Sequence, residues 1–314
     1  KNTINANPLA FQALNNLGVL LKELGDIENS IKYLKRAIDC KPEYVDAMNN
    51  LGISLKLIGK EEEAESNFKK VIKIDCNNKE ALNNLAIIKH DKGENEEAIN
   101  YLNQVIENHP QYPEAYNNLG VILKKINKLD VAINYFQQAI KIKENYSEAM
   151  YNLGNCYKLK NNYDLAIDML KKTVEIDKEN YDAFYNLGRL YSDICKDKEA
   201  IESYKKAIIL NPKFSNAYNN LAIKINELGN IKEAISLYKK AIIHRADNAD
   251  AYNNLGISYQ EIRLISDAID SYKMAIKINN DYAEAHSNLA HALLLNGQYE
   301  EGRNEYEYRS LKSG

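Results

Sequence analysis

No stretch of this chain stays apolar for the roughly 20 residues that a membrane-crossing helix needs. The first ten residues, with Lys1 as their only charge, lack the apolar centre of a secretion signal. The chain reads as soluble and cytoplasmic. A dominant charge is also missing: a formal net charge of -3 with 27% charged residues provides no bulk attraction to nucleic acid or to an anionic membrane. Cysteine is scarce, and Cys40, Cys76, Cys156 and Cys195 show neither a paired framework nor the close spacing of a zinc site. They read as reduced, mostly packed thiols. His90, His109, His244, His286 and His291 are scattered, and the last two are spaced poorly for one helical face, so no metal or other cofactor is expected. There is no phosphate-cradling glycine loop, no serine-centred elbow and no His-Glu metal motif, which argues against catalysis within these residues.

What the chain does have is a period. Asn16, Asn50, Asn84, Asn118, Asn152, Asn186, Asn220, Asn254 and Asn288 recur every 34 residues, each followed by Leu and then by Gly or Ala. A length of 314 residues would ordinarily suggest two domains, but an unbroken period indicates one elongated stack of small units that cannot bury their apolar faces alone. Counting position 1 from Phe11, repeats start at 11, 45, 79, 113, 147, 181, 215, 249 and 283, the last one short. Position 3 is always Ala, position 7 always Leu and position 8 always Gly or Ala, a small-residue face that admits a second helix closely. Position 15 is Gly or Asn in seven repeats, the residues that tolerate the left-handed conformation ending a helix. Position 20 is small and position 24 large, as in Phe68, Phe136, Tyr204, Tyr238 and Tyr272, so two antiparallel helices interlock. Pro42, Pro110 and Pro212 at position 32 close the second helix. Each repeat is therefore a helix hairpin, and the fold class is an all-α superhelix.

These residues (Leu at 7, Gly or Ala at 8, Ala at 20, an aromatic at 24, Ala at 27, Pro at 32) resemble the tetratricopeptide repeat pattern over residues 11 to about 308. The resemblance implies a right-handed superhelix whose first helices line an inner groove. Cys195 and Arg263 at position 15, and Val71, Val105 and Thr173 at position 27, depart from the pattern, and local adjustments are expected there. Residues 1–10 read as the remnant of a preceding repeat, because Asn7 and Pro8 fall where its positions 31 and 32 would fall. Arg309 and Ser310 replace the usual apolar residues near the other end. Uncapped ends suggest either a fragment or self-association with a second copy.

Positions 2, 6, 9 and 13 of the first helix form one stripe by their spacing, and the resemblance places that stripe in the groove. Position 2 is acidic in seven repeats, at Asp46, Glu80, Glu114, Glu148, Asp182, Asp250 and Glu284. Position 6 is the asparagine row. Position 9 is apolar in six repeats and becomes Asn155, Arg189 and His291 in the others. An Asn amide offers an acceptor and two donors, matching both polar groups of an extended peptide backbone. The row is therefore expected to hold main chain, with the acids adding a preference for Lys or Arg. Asn pairs at positions 5 and 6, such as Asn117-Asn118, strengthen that expectation, because packing alone accounts for them poorly. Phrases such as Ala115-Tyr116-Asn117-Asn118-Leu119-Gly120 are similar to the receptor region of O-GlcNAc transferases, which implies peptide capture by the asparagine row; the transferase domain itself is absent from these residues. The expected function is a protein- or peptide-binding module. A transferase's substrate-recognition part and a self-assembling scaffold are the alternatives. A two-carboxylate clamp of this family uses Lys and Arg at positions 5 and 9, whereas here position 5 is Asn, Tyr151, Tyr185 or Ser287 and position 9 is mostly Val or Ile; the acidic position 2 repels RNA.

Overall fold

The computed structural model describes residues 10–312, with side chains to residue 307; the expectation of a preceding repeat in the first residues lies outside the described ones. The described residues form helices only. The first helices of the hairpins are α1 (Ala10–Glu23), α3 (Val45–Leu57), α5 (Lys79–Asp91), α7 (Pro113–Lys125), α9 (Ser147–Leu159), α11 (Tyr181–Asp193), α13 (Ser215–Glu227), α15 (Ala249–Glu261) and α17 (Ala283–Leu295). The second helices are α2 (Ile27–Cys40), α4 (Glu61–Ile74), α6 (Asn95–Asn108), α8 (Leu129–Ile142), α10 (Tyr163–Ile176), α12 (Asp197–Leu210), α14 (Ile231–His244), α16 (Ile265–Ile278) and α18 (Tyr299–Lys312). From α3 onward each first helix starts at position 1 of its repeat. No described helix is long and apolar enough to cross a membrane.

The chain divides into two compact units, one ending at Cys156 and the other beginning at Tyr157. Within each, every hairpin packs against the next through the second helix of one and the first helix of its successor. First helices also touch one another, α1 with α3, α3 with α5 and α5 with α7 in one unit, α13 with α15 and α15 with α17 in the other. Among the described residues no pair of second helices approaches as closely, so the first helices occupy the inner side of each stack.

Small-against-large packing sets the hairpin angle. A Cβ on Gly52 would lie 2.6 Å from the fully buried Phe68 ring, and one on Gly120 2.7 Å from Phe136. Removing such a ring from water is worth about 2 to 3 kcal/mol. Leu34, Leu51, Leu55, Phe68, Leu85 and Ile88 belong to one continuous core in the first unit.

Each first helix ends on the same pair of backbone bonds. The position-16 N–H reaches the position-11 carbonyl, as in Lys60 to Leu55 (3.0 Å) and Glu94 to Lys89 (2.8 Å), and position 15 is left-handed. Cys195 (φ 57°) and Arg263 (φ 62°) take the same conformation, with Lys196 bonded to Tyr191 and Leu264 to Tyr259. The expected adjustment does not occur: the bonds at the helix end outweigh the steric cost of the side chain. Val71, Val105 and Thr173 are likewise fully buried in helices of ordinary length, and Thr173 Oγ1 donates to the Met169 carbonyl (2.9 Å). The cysteines divide. Cys156 is buried as expected, whereas Cys76 and Cys195 are exposed.

One ion cluster is built into the stack. Position 11 is Leu, Ile or Tyr in eight repeats but Lys89 in α5, where the buried ammonium meets Glu65 (3.4 Å), Glu97 (3.0 Å) and Glu94. Glu65 also accepts from Lys69 (2.7 Å) and Lys92 (2.6 Å), and those hydrogen bonds pull its carboxyl down to about 2. A folded-state value below the unfolded one stabilises the protein above the usual carboxylate range, and that contribution disappears as pH falls toward 2.

Two outcomes follow for stability. Arg263→Gly should raise the midpoint of chemical denaturation by an amount equivalent to about 1 kcal/mol, since only glycine adopts the left-handed position without strain. Glu65→Gln should destabilise at neutral pH by about 2 kcal/mol, and its difference from the wild type should shrink as pH is lowered from about 4.5 toward 2. A pH-independent difference would contradict the ion-cluster assignment.

Candidate functional site

The asparagine row lies on the inner side and is only partly open. Asn16 is exposed, Asn152 is buried, and Asn50, Asn84, Asn118, Asn186, Asn220, Asn254 and Asn288 are intermediate. Their neighbours at position 5 are buried: Asn15, Asn49, Asn83, Asn117, Asn219 and Asn253. The two columns are joined across repeats. Asn50 Nδ2 donates to Asn15 Oδ1 (3.0 Å), Asn118 to Asn83 (2.8 Å) and Asn152 to Asn117 (3.1 Å) in the first unit. In the second unit Asn254 donates to Asn219 (3.2 Å) and Asn288 to Asn253 (3.0 Å). Where position 5 is Tyr185, Asn220 donates to its hydroxyl instead (3.2 Å).

The doublet therefore has a packing role that its spacing did not reveal: position 6 of one repeat is tied to position 5 of the repeat before. Two of the buried position-5 amides also reach an acid of the next repeat. Asn117 Nδ2 donates to Glu148 Oε1 (3.1 Å) and Asn253 Nδ2 to Glu284 Oε1 (3.3 Å), so the same side chain that anchors the next asparagine also orients the next position-2 acid. The relay skips one step. Asn84 Nδ2 donates to its own Glu80 carbonyl (2.9 Å), and the buried Asn49 Oδ1 is left without a partner.

Position 2 makes the N-terminal edge of this face acidic. Asp46, Glu148 and Asp250 are exposed, while Glu80, Glu114 and Asp182 are intermediate. Their field reaches the tyrosines at position 34. Burial, followed by Glu114 and Glu80, pushes Tyr112 up to about 12, and burial with Glu148 and Glu114 raises Tyr146 as well. Asp182 is itself raised, by burial. The apolar column at position 9 stands beside the amides, with Val19, Ile53, Ile87, Val121, Ile223 and Ile257 all part-exposed. Lys56 and Asp91 pair loosely (3.9 Å) at the opposite edge.

Each relayed position-6 amide spends one of its two hydrogens inward. What remains for a ligand is an acceptor oxygen and the second hydrogen, between an apolar column and a row of acids. Among the described residues no group of His, Cys, Asp or Glu is arranged to hold a metal ion. His286 is buried and engaged with Glu305 (2.6 Å) and the Asn280 carbonyl (3.1 Å).

Family profiles described as tetratricopeptide repeat match residues 9–77, 80–145, 147–180, 181–214 and 203–236, and one described as TPR repeat matches 226–262 and 265–297. Among solved structures, that of YrrB, described as a TPR protein with an unusual peptide-binding site, is similar with a TM-score of 0.51 and 27% identity over 59% of this chain and 95% of that one. PilF of Pseudomonas aeruginosa has a TM-score of 0.58 and 20% identity over 65% of this chain and 92% of its own. A chain of the APC/C hetero-tetramer Cut9-Hcn1 has a TM-score of 0.58 and 16% identity over 90% of this chain and 59% of its own. The last two likenesses show the fold alone. None of the three is an O-GlcNAc transferase, so that narrower resemblance gains no support from them. A comparison with curated protein sequences finds no match.

The relay ranks the asparagines by stability. Asn253→Ala removes the acceptor for Asn288 and the donor to Glu284 and should cost about 1 to 2 kcal/mol. Asn84→Ala, whose amide bonds only its own helix, should cost less than about 0.5 kcal/mol. Denaturant titration of the two variants checks the order.

Proposed function

The chain belongs to the tetratricopeptide repeat family, and we propose that its inner face captures an extended segment of another polypeptide by main-chain pairing with the position-6 amides. As a tetratricopeptide repeat protein it is a protein-interaction module. The proposed contacts are Asn16, Asn50, Asn84, Asn118, Asn152, Asn186, Asn220, Asn254 and Asn288. Asp46, Glu80, Glu114, Glu148, Asp182 and Asp250 supply a preference for Lys and Arg in the captured segment.

The observation that carries this reading is the repetition, on the inner side, of a part-exposed amide beside a part-exposed Val or Ile and an acid. A backbone needs an acceptor and a donor at intervals, and side chains of either polarity then find a surface. The relay supports it physically: an amide already tied to the preceding repeat has lost most of its rotamer freedom, so little more is lost when a ligand binds. At about 1 kcal/mol net per hydrogen bond, a few engaged amides suit micromolar, permissive capture. The similarity to YrrB, described as having a peptide-binding site, is consistent with that chemistry.

A peptide array comparing basic, neutral and acidic segments tests the reading. Replacing Asn50, Asn84 and Asn118 together with Ala should weaken capture at least tenfold with helix content nearly unchanged, and Asn84→Ala alone should weaken it about threefold. Exchanging Asp46, Glu80 and Glu114 for their amides should erase the preference for basic segments. Unchanged capture in the triple asparagine variant, with strong self-association across a concentration series, would replace the module with a scaffold.

A further inference from the structure

Inside the second unit the position-9 column is interrupted twice, by Arg189 in α11 and His291 in α17, and of the two Arg189 carries a permanent charge. In the flanking α13 and α15 the same position is Ile223 and Ile257. The Arg189 side chain is exposed and, among the described residues, makes no ion pair or hydrogen bond. Beside it lies the half-buried Lys158 of α9, whose ammonium is held below its ordinary range by burial and then by the Arg189 charge, with Asp193 the one opposing influence. Two cations thus stand together without a carboxylate joined to either. Arg189 opens onto a cavity of about 160 Å³ between α11 and α13.

The walls of that cavity suit an anionic group. Ser192 brings a hydroxyl, and Asn220 lines the cavity with its amide engaged by the hydroxyls of Tyr185 and Tyr204. Lys224 also lines it, but its charge is committed to Asp197 (3.2 Å) and Glu227 (2.7 Å). Asp193 lies on the same wall, which favours a single negative charge over a double one. At this step α11 and α13 approach less closely than α13 and α15 do, and Tyr204 and Ile223 complete the lining of the cavity.

We propose that the wedge between α11 and α13 is an anion subsite, in which the Arg189 guanidinium pairs with the carboxylate of an Asp or Glu side chain in the captured segment. Elsewhere the face prefers basic residues, so this one step sets the register in which a segment of mixed charge lies. A planar fork of donors matched to a carboxylate gives orientation as well as attraction. The subsite rests on the peptide-capture reading of the preceding section.

Two measurements test it. A segment taken from the array is synthesised with Ala, Glu or phosphoserine at each position in turn, and binding to the wild type and to Arg189→Val, an apolar β-branched residue like the Ile of the following repeats, is compared. At one position the wild type should bind the Glu form at least fivefold more tightly than the Ala form, and Arg189→Val should abolish that advantage while holding the Ala form within twofold. A Glu advantage that survives in Arg189→Val, or no Glu advantage at any position, overturns the subsite. A phosphoserine form bound more than tenfold better than the Glu form overturns the carboxylate assignment. The second measurement needs no peptide: titration with acetate should move the Arg189 side-chain Nε–H resonance saturably, and an unmoved resonance overturns the subsite. The two readings fail differently. Loss of the Glu advantage with capture still sensitive to the Asn50, Asn84 and Asn118 replacements removes the subsite alone, whereas capture insensitive to those replacements removes the groove.

Discussion

A side-chain amide that points to the preceding repeat holds the inner face together. Helix hairpins stacked by apolar packing alone could slide or rotate slightly, because hydrophobic contact is not directional. A hydrogen bond between part-buried amides is directional, and it is lost when a register shift separates donor and acceptor by about an ångström more. Asn118 on Asn83, and Asn254 on Asn219, therefore define how far each first helix sits from the last. The spacing of everything else on that face follows from it, including the acids that Asn117 and Asn253 hold in place.

Much of this was legible in the residues. The hairpins, their turns and the small-against-large interlock were readable because each depends on residues within one 34-residue unit. Cys195 and Arg263 break the pattern without disturbing the turn, because the backbone bonds at the helix end impose the same left-handed conformation on either side chain. The packing role of the Asn doublet is not legible locally, because each partner is one period and one residue away. The burial of Lys89 is not legible in the sequence, because Glu65, Glu94 and Glu97, which converge on its ammonium, come from α4 and from the start of α6.

The relay changes what the asparagine row means for function without removing it. An amide free in solvent would present every donor and acceptor to a ligand but would also have to be ordered on binding. Here part of that capacity is spent in advance on the stack, and what remains is presented in a fixed direction. Fewer bonds per residue are available, each at a smaller entropic cost. Asn84, outside the relay, marks the one step of the first unit where the two roles separate.

The most direct test is a crystal structure of the chain with a captured peptide. The account predicts peptide N–H and C=O groups within about 3 Å of position-6 amides in successive repeats, with the Asn118–Asn83 and Asn254–Asn219 bonds retained. A peptide seated on the second helices, or on the inner face with no contact to those amides, would contradict it.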